Sequence, residues 1–329
     1  MLKEPLLQIK NISKSFILEK SFFGKSLKTL RAVNNINLDI FPGECLTIVG
    51  ESGCGKSTLA KLILRLVEAD QGEVIFEGKN FFNLEGEELR KKRRDLQMVF
   101  QNPFNSLDPR YKIFDAIAEP LQVHETGMSK ESIEARVFEL LDLVELDKAI
   151  AYKYPHECSG GQNQRACIAR ALALNPKFLI ADEAVSALDV STQWKILQLL
   201  KKLQNELGIS MLFIAHNLGV VRYIADRVAV MYLGEVVELT TRDEIFKNPL
   251  HPYTKALFNS APVADPRQRN REKSHLKGEI PKPTQIPSGC PFHTRCPIAE
   301  SKCSEIKPDL VQKKSAGLVN HVACCLLVE

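Results

Sequence analysis

Apolar residues are distributed along this chain in two distinct ways. Short unbroken runs occur at residues 45–49 (Cys-Leu-Thr-Ile-Val), 178–181 (Phe-Leu-Ile-Ala) and 209–215. Runs of this length without alternation predict strands buried on both faces, as in a parallel sheet. Residues 96–100, Leu-Gln-Met-Val-Phe, predict a further strand that runs into Gln101, and residues 72–76 another that ends at the turn Glu77-Gly78. Residues 6–9 and 36–40 are apolar or alternating, with a basic segment at 20–31 between them, and Pro42-Gly43 turns the chain into the 45–49 run. They predict a β-rich opening. Elsewhere the apolar positions recur at helical spacing. The expected helices cover residues 57–67, a stretch from Ser129 as N-cap through Ile133, Val137, Leu140, Leu141 and Val144, residues 166–174, and residues 194–207 before Gly208. Beyond residue 251 the periodicity fades and prolines, basic residues and then cysteines dominate. Strands alternating with helices place the chain in the α/β class.

Residues 50–58 read Gly-Glu-Ser-Gly-Cys-Gly-Lys-Ser-Thr, between an expected strand and an expected helix. This is a phosphate-binding loop in the context it requires. Gly50, Gly53 and Gly55 let the backbone curl so that the N–H groups of Glu51, Ser52, Cys54 and their neighbours face phosphate oxygens. Lys56 carries a fixed positive charge to the outer phosphates. Ser57 offers a hydroxyl to Mg²⁺, and Thr58 opens a helix whose positive dipole end faces the nucleotide.

Bulk properties narrow the class. There are 44 basic and 40 acidic side chains, a net charge of +4, which gives no argument for nucleic acid. The run Lys91-Lys92-Arg93-Arg94 reads as a solvated edge. No secretory signal is expected at the N-terminus, and no apolar stretch approaches the roughly 18 residues of a membrane span. A reducing, cytosolic setting follows, in which the five of nine cysteines beyond residue 289 suit a metal or iron–sulfur site better than disulfides.

Asp182-Glu183 ends an apolar strand, where parallel sheets bind ligands. Asp182 would hold the metal and Glu183 would polarise the attacking water, since phosphoryl transfer is driven by positioning and charge. Further on lie Ser159-Gly160-Gly161-Gln162 ahead of a helix, Ser186-Ala187-Leu188-Asp189, and His216 at the end of another strand. In this order the set resembles the ATP-binding cassette ATPases over residues 6–250. That resemblance implies a RecA-like core with an antiparallel β subdomain and a helical subdomain at about 105–160. It also implies a head-to-tail dimer in which each ATP and its Mg²⁺ lie between two chains. Ser159, Gly160, Gly161, Gln162 and Asp189 would then serve the partner's ATP. His216 would touch the γ-phosphate and steady Glu183. Gln101 would reach Mg²⁺ and a transmembrane partner, and Phe16 would stack on adenine. Lys56, Glu183 and His216 are the expected catalytic set. The chain departs from the usual pattern in three places: at Cys158, at Asn163, and at Ala184-Val185 after the catalytic Glu.

The tail resembles the C-terminal extension of oligopeptide and dipeptide importer ATPases, nickel importers included. It carries Pro249-Leu-His-Pro-Tyr-Thr254, Ser288-Gly-Cys-Pro-Phe-His-Thr-Arg-Cys-Pro297, Cys303 and Cys324. The details are most similar to the second, F-type ATPase subunit of such importers. Residues 1–250 are thus expected to form the cassette and 251–329 the extension. Partners implied are a second, non-identical ATPase subunit, two permeases and an extracytoplasmic binding protein, with this chain peripheral on the cytoplasmic face of the membrane. Cys290, Cys296, Cys303 and Cys324, spaced C-x5-C-x6-C-x20-C, match the family's iron–sulfur positions, with zinc and free thiols as alternatives and Cys325 able to replace Cys324. A nickel importer, or a soluble cassette ATPase acting on nucleic acid or ribosomes, are the competing functions.

Overall fold

The computed structural model describes residues 4–20, 26–260, 278–312 and 321–328. The chain divides into two compact units, each assembled from separate stretches. The first takes residues up to Leu6, Ile40–Cys45 and Glu77–Ile214, and the second Leu7–Asp39, Leu46–Phe76 and Ala215–Glu329.

The first unit is built on parallel strands. Leu96–Val99 pairs with Phe178–Asp182 from Leu96↔Phe178 onward, and Phe178–Asp182 pairs with Ser210–Ala215 from Phe178↔Ser210 onward. Every residue of the latter two strands is buried, which is why both read as unbroken apolar runs. Helices Ile113–His124, Lys130–Leu143, Gly160–Leu172 and Val190–Leu207 belong to the same unit. Ser129 caps the second of these, its side chain accepting from the Ser132 N–H, and Ile133, Val137, Leu140 and Leu141 form its buried face. Asp189 caps the last, five residues before the apolar spacing begins at Trp194, and Gly208 ends it with φ 65°.

In the second unit the long strands Ser26–Ile40, Leu7–Lys20 and the shorter Gln71–Phe76 lie side by side, the last antiparallel to Leu7–Lys20. Cys45–Val49 runs parallel to Arg227–Tyr232. A hairpin then turns that strand back through Glu235–Thr241, which pairs in its turn with Val322–Ala323. The C-terminal segments therefore share a core with the phosphate loop. Phe292 is 1% exposed and meets Tyr232, Tyr253 and His251 at ring-centroid distances of 5.4, 5.4 and 5.8 Å. The tail's buried ring thus packs on the core of the second unit. Among the described residues no helix is long and apolar enough to cross a membrane.

Candidate nucleotide-binding site

The loop at residues 50–55 follows the strand Cys45–Val49 and feeds the helix Lys56–Ile63. Two of its three glycines are required by close approach. A Cβ on Gly50 would lie 2.1 Å from the Met231 carbonyl oxygen, and one on Gly55 2.1 Å from that of Ala32. Gly55 also takes φ 108°, in the left-handed region. The Cys54 carbonyl accepts from the Gly234 N–H at 2.9 Å, so the hairpin turn after Tyr232 forms the floor beneath the loop. No side chain at the N-cap bonds to the first turn of the helix that follows.

Lys56 is 5% exposed, and its Nζ donates to the carbonyls of Gly50 at 2.9 Å and Glu51 at 3.0 Å. The ammonium thus holds the two edges of the loop together, within reach of any anion the loop takes up. Cys54 is buried beside it, and burial raises its thiol pKa, with the Lys56 charge pulling the other way. Glu51 is fixed from two sides. Its N–H donates to Tyr253 Oη at 2.9 Å, and its carboxylate takes both arms of the Arg295 guanidinium, at 2.9 and 3.0 Å. Ser52 and Gly53 are exposed, and Ser57 and Thr58 half-buried. Phe16 is half-buried with the Lys14 ammonium 5.6 Å from its ring centre.

In the first unit, Gln101 Nε2 donates to Glu183 Oε2 at 2.7 Å, joining the ends of two neighbouring parallel strands. Asp182 is 6% exposed at the end of its strand. Glu183 sits at φ 47°, in a backbone region costly for any residue with a side chain, held there by its N–H on the Ile214 carbonyl at 3.1 Å and by the Ser186 N–H on its own carbonyl at 3.0 Å. His216 is exposed at the end of Ser210–Ala215.

Residues 33–186 match the ABC transporter family, and residues 237–303 match the oligopeptide/dipeptide transporter C-terminal region. The chain is 47% identical to the oligopeptide transport ATP-binding protein OppF of Salmonella typhimurium, across 99% of this chain and 97% of that one. It is likewise 47% identical to AppF of Bacillus subtilis, across 98% of each. The chain belongs to the ATP-binding cassette transporter family. Among solved structures it resembles the ATP-binding cassette MJ0796 in a dimeric, post-hydrolysis state bound to ADP and Pi, with a TM-score of 0.64, 36% identity and coverage of 72% of this chain and 98% of that one.

The cassette's Ser159-Gly160-Gly161-Gln162 segment forms a capping box at the start of the helix Gly160–Leu172. The Ser159 side chain accepts from the Gln162 N–H, and the Gln162 side chain from the Ser159 N–H. Asn163, which stands where a basic residue is common, is fully buried and donates to the Pro155 carbonyl at 2.8 Å. A charged side chain would not be solvated there, and the amide ties the helix to the turn before it. Cys158, Ala184 and Val185 are all buried and fill space rather than facing solvent. Asp189 caps the next helix. Its side chain is held below the ordinary carboxylate range by hydrogen bonds from Ser191 and Thr192.

Cys290, Cys296 and Cys303 line one small cavity in the cassette's tail, together with Cys325, His251 and His293. Cys324 is not in that lining, and its Sγ donates to the Pro308 carbonyl at 2.8 Å. Burial pushes the Cys290 thiol up to about 11 and Cys324 up to about 12, and also raises Cys296. The cavity holds about 10 Å³, room for a single water, and among the described residues no three donors close on one ion. The donors suit soft metal chemistry in kind, but as placed they do not form a metal site among the described residues.

Proposed function

We propose that the chain is the ATP-hydrolysing subunit of a peptide importer. The observation that carries this reading is the phosphate loop joined, in one chain, to the C-terminal region of oligopeptide/dipeptide transporters. Residues 1–250 form the cassette in this reading and residues 251–329 its importer-type extension. The partners are a second, non-identical ATPase subunit, two membrane permeases that hold this chain against the membrane's cytoplasmic face, and an extracytoplasmic binding protein.

The chemistry follows from the residues. Backbone N–H groups of the loop and the Lys56 ammonium bind the phosphates, and the ammonium exchanges its hold on the Gly50 and Glu51 carbonyls for phosphate oxygens; the Glu51 N–H, expected from the sequence to face phosphate, is instead taken by Tyr253 Oη, and that of Cys54 turns to the Glu51 carbonyl. Ser57, Gln101 and Asp182 supply hard oxygen donors of the kind Mg²⁺ takes, and the ion neutralises charge on the phosphates when bound. Glu183, oriented by Gln101, takes the proton of the attacking water, and His216 steadies the γ-phosphate. Phe16 stacks on adenine. Ser159, Gly160, Gly161, Gln162 and Asp189 act on the ATP of the paired subunit. The tail thiols belong to the proposal only as a metal-binding staple. Iron and sulfide analysis of anaerobically purified protein tests an iron–sulfur group there, and zinc or no metal would remove it.

Uptake of a labelled tripeptide, with labelled nickel in parallel, is the test in cells lacking the chain and in cells with it restored. Loss and rescue of peptide uptake are expected. Loss of nickel uptake alone would move the reading to metal import, and no change in either would end the importer assignment.

A further inference from the structure

Arg295 lies between two of the tail cysteines, in the short helical turn His293–Arg295, 244 residues from the phosphate loop. Yet its guanidinium is 6% exposed and makes a two-pronged ion pair with Glu51, the second residue of the loop. The pair is set on aromatic surface. The Arg295 guanidinium carbon lies 6.0 Å from the Tyr232 ring centre, and the Tyr232 and Tyr253 rings are 4.6 Å apart. Tyr253, from the helix Pro252–Ser260, reaches the other end of the same loop residue and accepts its N–H at 2.9 Å. Side chain and backbone of Glu51 are therefore both held by residues of the C-terminal region. Loop curvature is what aims the N–H groups at phosphate, so a fixed Glu51 fixes part of the binding geometry before ligand arrives.

We infer that Arg295 and Tyr253 are positioning residues for nucleotide binding: the C-terminal extension clamps the phosphate loop through Glu51 and holds it in the ATP-accepting shape. The inference rests on the reading of residues 50–58 as an ATP loop. It gives the extension a task at the nucleotide site of its own chain. An Arg is suited to it because its planar fork matches a carboxylate in one orientation, where a Lys would provide only a point charge.

The test is MgATP affinity by calorimetry and ATP turnover, on the full-length chain, for Arg295→Met, Arg295→Lys, Glu51→Gln and the Arg295→Met/Glu51→Gln double variant. Arg295→Met is expected to weaken MgATP binding about 10-fold, the scale of one lost charge-assisted contact, with turnover at saturating ATP within about two-fold of wild type. Arg295→Lys should fall between the two. The double variant should bind no more weakly than the worse single one, because both remove the same contact. Should Arg295→Met fail to fold, Glu51→Gln removes the pair from the other side. Unchanged affinity in the variants that fold, or a fall in turnover without a fall in affinity, would overturn the clamp. Failure of the wild-type chain to bind MgATP would instead sink the reading of the loop itself.

Discussion

The phosphate loop lies in the second unit and the Asp182–Glu183 segment in the first, and each is secured in its own way. The loop is held from a distance. Its glycines press on the Met231 and Ala32 carbonyls, Cys54 bonds to Gly234, and Glu51 is gripped by Tyr253 and Arg295. The Glu183 segment is held from within the first unit: Gln101, 82 residues away along the chain, on its carboxylate, Ile214 on its N–H, and Ser186 on its carbonyl. A loop that must present many N–H groups at once needs a rigid outline, and long-range contacts give it one. A carboxylate that must accept a proton needs only local aim and room to change its bonds. Affinity should therefore be sensitive to distant residues in the second unit, and turnover to near neighbours in the first.

The sharpest break in that contrast comes from Glu183→Gln, which keeps shape and removes the base. ATP turnover should fall roughly 10²–10⁴-fold while bound ATP is retained, read by steady-state phosphate release and filter binding. Multi-turnover hydrolysis near the wild-type rate would undo the assignment of Glu183. Lys56→Ala should cost MgATP affinity on the order of 10²–10³-fold, since one preorganised cationic donor is lost from a site shielded from water; calorimetry reads this directly. Gln101→Ala removes one hydrogen bond to a charged group. Roughly 10-fold slower turnover with affinity unchanged is expected from a Michaelis–Menten comparison. The smallest effect is structural. Asn163→Ala removes the shorter of the two hydrogen bonds to the Pro155 carbonyl, which keeps the Cys158 N–H, and should lower stability by about 1 kcal/mol, seen as a drop of a few degrees in thermal unfolding, with little change in ATP affinity.

The two regions also differed in how far the chain's own pattern revealed them. The Cys45–Val49 and Phe178–Asp182 strands are mostly apolar, apart from Thr47 and Asp182, because both their faces are covered, and their ends are legible to within a residue. Where a cap sets the boundary instead, the pattern misleads: Val190–Leu207 begins at Asp189's cap rather than at Trp194, where the apolar spacing starts. The loop helix stops at Ile63 rather than 67, and just beyond it Arg65 takes φ 52°. The strands Leu7–Lys20 and Ser26–Ile40 run far beyond the apolar stretches at 6–9 and 36–40, because half-exposed strands tolerate polar residues that carry no apolar signal.

Site residues within a contiguous motif, from Gly50 to Thr58 or from Ser159 to Gln162, could be read in order along the chain. The Glu51–Arg295 pair could not. Nothing in either segment alone points across 244 residues, and an Arg between two cysteines suggests the cysteines' chemistry rather than the loop's. The same limit applies to the thiols. Spacing selected Cys324 as the fourth member of the set, whereas the cavity is lined by its neighbour Cys325, because alternate residues near the paired Val322–Ala323 strand face different sides.

The contrast between a remotely clamped loop and a base held from within the first unit is tested most directly by MgATP affinity and saturating turnover in Arg295→Met and Glu183→Gln, measured side by side on the full-length protein. The account predicts that Arg295→Met moves affinity about 10-fold and turnover by less than about two-fold, and that Glu183→Gln does the reverse, collapsing turnover and sparing affinity. Both variants lowering turnover alone, with affinity at the wild-type value in each, would contradict it.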